Sequence, residues 1–129
     1  MKKLSKKVKL LPITRSVRKL RDDGWLADIA ERKQGPFSKD FLGFADIVAL
    51  KRLTPYVAGV PAVLLVQATG WTNVSARVKK ISESEEAWSC LEAGCTIEVW
   101  GWDRYRADPK VVIITEATFD RTSAGSKDE

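Results

Sequence analysis

Two stretches of this chain are apolar at almost every position, and each carries one polar group out of place. Gly43-Phe44-Ala45-Asp46-Ile47-Val48-Ala49-Leu50 contains Asp46, and Val63-Leu64-Leu65-Val66-Gln67-Ala68-Thr69 contains Gln67. Unbroken apolar runs of this length predict strands, the second of them central and buried on both faces. We expect strands over residues 41–51 and 62–69, joined by a loop rich in proline and glycine. Beyond Gly70 the period changes. Val74, Val78, Ile81, Trp88 and Leu91 recur at helical spacing. One helix capped by Thr72 or Asn73 and ended by Gly94 is predicted. Strands follow over residues 96–102 and 111–119.

Upstream, Val17, Leu20 and Arg21 fit a short helix capped by Thr14 and stopped by Gly24. Residues 25–31 read either as a strand or as a continuation of that helix, and Gly24 favours the strand. Gln34-Gly35-Pro36 marks a turn. The order is helix, three strands, helix, then one or two strands. A strand–helix–strand crossover keeps its two strands parallel, while the earlier strands can pair as a meander. The expected fold is α/β, with helices packed on a mixed sheet.

A length of 129 residues suits one domain. We read residues 1–12 as a flexible basic arm, 13–120 as the domain and 121–129 as a disordered polar tail. No apolar run approaches the length of a membrane span, and no apolar signal core follows the basic start, so a cytoplasmic location is expected. Cys90 and Cys95 are then reduced thiols. The chain has no histidine. That excludes Ser-His-Asp triads, Cys-His dyads and histidine-ligated zinc. Chemistry must come from carboxylates, amides, lysines, hydroxyls or metal-bound water.

The formal charge is +5, and nine Lys or Arg with no acid lie between Lys2 and Arg21. Such a segment favours polyanions, nucleic acid first and an anionic membrane surface second. An ionised carboxylate in an apolar strand needs a partner, and a metal ion is one. In an antiparallel hairpin with Leu50 opposite Val63, Asp46 faces Gln67. Opposed Cβ atoms then lie about 4.5–5.5 Å apart, close enough for both side chains to share one Mg²⁺. Glu31 could add a third oxygen, and hard oxygen donors favour Mg²⁺ or Mn²⁺. Asn73, Arg77 and Lys80 form a polar stripe on the next helix. Arg77 lies about 6 Å and Lys80 about 10 Å along the axis from Asn73. Trp100 and Trp102 share one side of a strand, as sheet packing or as a base-stacking surface.

These residues resemble the PD-(D/E)xK nuclease superfamily, especially its small Holliday-junction-resolvase-like and phage-associated members. The likeness runs from Gly24-Trp25 and Glu31 through Asp40-Phe41-Leu42-Gly43-Phe44-Ala45-Asp46-Ile47 and Val66-Gln67-Ala68-Thr69. It continues over residues 73–81 and 94–102. It implies a restriction-endonuclease-like αβββαβ core, here with an extra C-terminal strand, and Mg²⁺-dependent hydrolysis of DNA, including branched DNA. Asp46 would hold the metal, Gln67 would stand at the second acidic ligand, and Glu31 would be the accessory acid. The (D/E)xK position reads Gln67-Ala68-Thr69, so Lys80 or Lys79, or Arg77, would replace the motif lysine. Asn73, Arg77, Lys79, Lys6 and Lys7 would contact DNA. A catalytically inactive DNA-binding module and a protein-interaction domain, dimeric through the apolar last strand, are the alternatives.

Overall fold

The computed structural model describes residues 3–51 and 63–119. Most of the loop expected after Lys51 and the polar tail expected over residues 121–129 lie outside the described residues.

Helix α1 (Pro12–Asp22) opens on a proline, which lacks an N–H and has φ preset for a first helical turn. It therefore starts earlier than a Thr14 cap would allow. Val17 and Leu20 face inward, and Gly24 at φ +93° ends it as expected. Strand β1 (Trp25–Ile29) follows, then a small hairpin of β2 (Arg32–Gln34) and β3 (Phe37–Lys39), where the sequence had suggested only a turn. Strand β4 is Ile47–Lys51 and β5 is Val63–Gly70. A 3-10 turn, Trp71–Asn73, leads into α2 (Val74–Ser82), and α3 (Glu85–Glu92) comes next. Strands β6 (Thr96–Trp102) and β7 (Lys110–Ile114) and the short helix α4 (Glu116–Phe119) complete the chain order.

Five strands form one mixed sheet in the order β1-β4-β5-β6-β7. β5 and β6 are parallel across the helical crossover, and the other neighbours are antiparallel. The mixed α/β architecture expected from the pattern is thus present. Alternation along the strands feeds two cores. Ile47, Ala49, Leu64, Val66, Trp100 and Trp102 pack beneath α1, against Val17 and Leu20. Leu65, Ile97, Val99 and Ile114 pack beneath α2–α4, against Val74, Ile81, Ala87 and Phe119. Gly101 lets the crossover lie flat on β6. A Cβ there would overlap Val74 and come within 3.2 Å of the Trp71 backbone.

Four further expectations change. Residues 41–45 form a turn rather than strand, with Leu42 at φ +53° and Gly43 at φ +80°. The single helix expected after Asn73 is two helices, because the Ser84 hydroxyl accepts from Ala87 N–H and starts α3 anew. Neither Thr72 nor Asn73 makes a side-chain cap. The last strand stops at Ile114, and α4 instead brings Phe119 edge-on to Trp88 at 5.2 Å. The basic arm lies along the loop between β6 and β7. Leu4 N–H donates to Tyr105 C=O at 2.6 Å and Val8 N–H to Arg104 C=O at 2.8 Å. Among the described residues, no helix is long and apolar enough to cross a membrane.

Candidate metal centre

Asp46 sits one residue before β4. Its N–H donates to Val66 C=O at 2.9 Å, and its C=O accepts from Ala30 N–H at 2.8 Å. Ile47 pairs with Val66 and Leu50 with Val63, the register expected from the sequence. Continued by one residue, it sets Asp46 opposite Gln67. The Asp46 carboxylate Oδ2 accepts from Gln67 Nε2 at 2.5 Å and from Ala68 N–H at 2.8 Å. Asp46 is only 6% exposed, and Gln67 and Thr69 are buried beside it.

Two further acids converge. Glu31 follows β1, and Asp40 follows β3. One carboxylate oxygen from each of Glu31, Asp40 and Asp46 lies within 4.8 Å of the others. Among the described residues, no lysine or arginine is ion-paired to any of the three. Burial pushes the Asp46 carboxyl up from 3.8 to about 7, and its hydrogen bond to Asp40 and that neighbour's charge push the same way. The Ala68 and Gln67 N–H groups pull against this rise, because they favour the ionised form. Clustered carboxylates repel unless a proton or a cation lies between them. Three hard, anionic oxygens at this spacing fit Mg²⁺ or Mn²⁺ and suit softer metals poorly.

Asp40 was absent from the ligand set expected from the sequence, and Gln67 was in it. Gln67 turns its nitrogen, not its carbonyl, toward Asp46. Asp46 Oδ2 already accepts from the Ala68 N–H, so this oxygen is an acceptor and the amide presents its donor to it. In this geometry Gln67 positions Asp46. A sequence signal for Asp40 existed. Asp40-Phe41-Leu42-Gly43 is a turn tetrapeptide with aspartate first and glycine last, and Gly43 N–H does donate to Asp40 C=O at 3.1 Å. Reading the segment as strand hid it.

The acids lie in a cleft of about 610 Å³ whose other walls include Thr69, Arg77 and Lys80. Of the DNA-contacting and motif-lysine candidates on α2 and the turn before it, Arg77 and Lys80 line the cleft, while Lys79 and Asn73 are exposed and do not. Lys7 lines a neighbouring cleft of about 310 Å³, and Lys6 is exposed outside both. Trp102 is buried, with its Nε1–H donating to the Ser16 hydroxyl at 2.8 Å and the Arg15 guanidinium 4.3 Å above its ring. At 7% exposure and with Arg15 over one face, that indole offers little surface to a base. The chain matches no protein-family model, no curated protein and no solved structure.

Proposed function

We propose that the protein is a Mg²⁺- or Mn²⁺-dependent endonuclease that hydrolyses DNA phosphodiesters, as the resemblance to PD-(D/E)xK nucleases implies. The main support is the convergence of Glu31, Asp40 and Asp46 in a cleft that also carries Arg77 and Lys80. Anionic ligands for a cation and cations for a phosphate then share one space.

In this reading Glu31, Asp40 and Asp46 hold the metal. A bound divalent cation lowers the pKa of an attacking water and stabilises charge on the scissile phosphate. Gln67 and the Ala68 N–H fix the orientation of Asp46. Arg77 or Lys80 binds the phosphate oxygens and offsets the charge that grows on them. Thr69 stands where the family carries lysine and supplies no cation. Cytoplasmic DNA is the substrate, branched DNA included, and a homodimer would place two such sites on one junction.

The test is cleavage of plasmid, branched and single-stranded DNA with Mg²⁺ or Mn²⁺. Wild type should cut, and Asp46→Ala and Asp40→Asn should not. Undiminished cutting by Asp46→Ala would remove the site assignment. The neutral Gln67 and Thr69 on β5 favour a second reading, a non-catalytic DNA-binding module. It requires DNA binding without cleavage and no Mn²⁺ uptake by calorimetry.

A further inference from the structure

The acidic cleft has a basic neighbour. Lys7, Lys9, Arg15 and Arg104 line a second cleft of about 310 Å³ that no carboxylate lines. Lys7 and Lys9 alternate on the arm, which the Leu4 and Val8 hydrogen bonds fasten to the loop carrying Arg104. Among the described residues, the side chains of Lys7, Lys9 and Arg104 have no hydrogen bond or ion pair. Arg15 is already committed, donating to the carbonyls of Asp103 at 2.8 Å and Arg106 at 2.6 Å. It adds charge and closes off Trp102, so this cleft presents cations without a stacking surface.

The two clefts share walls at Leu11, Pro12 and Gly70. Gly70 has ordinary extended backbone, at φ −75° and ψ 156°. A Cβ built there meets only the Asn73 amide nitrogen, at 3.8 Å. The backbone does not require glycine at this point, yet a side chain would stand where the clefts adjoin.

We propose that the two clefts form one groove for the backbone of a single nucleic-acid strand, which crosses at Gly70. Lys7, Lys9 and Arg104 hold phosphates beyond the one that reaches the acidic cluster. The inference rests on the nuclease reading for the acidic end only. The basic end grips phosphate and leaves the bases unread, so binding is insensitive to sequence and sensitive to salt.

The experiment uses the full chain and a fluorescent single-stranded DNA oligonucleotide, with anisotropy read in EDTA across a NaCl series. Lys7→Ala/Lys9→Ala should flatten the slope of log affinity on log salt by about 1 to 2, as expected for one lost phosphate contact per lysine. Gly70→Phe should weaken binding several-fold at an unchanged melting temperature. Lys33→Ala/Lys51→Ala, which removes equal charge outside both clefts, should bind like wild type. The groove is refuted if the arm and Gly70 variants bind like wild type, if the control loses as much as the arm variant, or if wild type shows no salt-sensitive binding. Because the assay needs no metal, a protein that never cuts DNA but passes it refutes the nuclease reading and leaves the groove standing.

Discussion

Replacing Asp46 by asparagine should make the protein more stable at alkaline pH. The Asp46 carboxyl titrates at about 7 in the fold against 3.8 ordinarily. The folded state therefore keeps a proton that the unfolded chain releases, and stability from this group falls as pH rises from about 4 through 7. At ~1.4 kcal/mol for each tenfold change in proton affinity, the ceiling on that loss is about 4 kcal/mol. The carboxyl lines an open cleft, so solvent screening brings the expectation down to about 1–2 kcal/mol between pH 5 and 8. The chain has no histidine to titrate in this window. Urea denaturation in EDTA at pH 5, 6, 7 and 8 measures the effect. Wild type should lose stability across the series, and Asp46→Asn should stay nearly level. Added Mg²⁺ should restore wild type more at pH 8 than at pH 5, because it binds the ionised cluster and the folded state alone. A wild-type profile that is flat or rising, or an asparagine profile parallel to it, would refute the electrostatic account of the site.

Other substitutions probe the supports. Gln67→Ala leaves Asp46 without one donor and should destabilise the protein by about 1–3 kcal/mol in urea. Gln67→Glu should weaken the metal-free fold at pH 8 yet tighten Mn²⁺ binding by calorimetry. Gly101→Ala drives a methyl into Val74. It should cost about 1–3 kcal/mol by thermal denaturation, and no change would contradict the tight crossover. Burial and the neighbouring Cys95 raise the Cys90 thiol. Iodoacetamide should therefore modify Cys90 more slowly than free cysteine at pH 8, as followed by mass spectrometry.

Much of the sheet was legible in the sequence. A hairpin that sets Asp46 opposite Gln67 pairs Leu50 with Val63, and the ladder from Ile47 to Leu50 has that register. The parallel step to β6 followed from the helix between the strands. What stayed hidden was local competition. Ser84 reads as one polar residue in a helical period, but its hydroxyl restarts the helix. Pro12 reads as the end of an arm, yet it is the first residue of α1. The site was half legible. Asp46 lies one residue before β4 and Glu31 two residues past β1, which stops at Ile29 rather than 31, whereas Asp40 is delivered by a turn with two successive positive φ values. No periodicity reports such a turn. The donor role of Gln67 could not be read either, because glutamine offers both a donor and an acceptor and only its neighbour decides between them.

The fastening of the arm also sets an order of assembly. Arg15 reaches the Asp103 carbonyl across 88 residues of chain and the Arg106 carbonyl across 91. The arm itself joins the same loop through two backbone bonds. Closing loops of this length carries an entropic penalty that only a completed sheet can offset. During synthesis the acid cluster can form once β5 has emerged, but the basic wall must wait for the loop after β6. In the finished protein that seam has few bonds to break. Local opening there should precede unfolding of the sheet, so the amides of Leu4 and Val8 should exchange with solvent faster than those of β5.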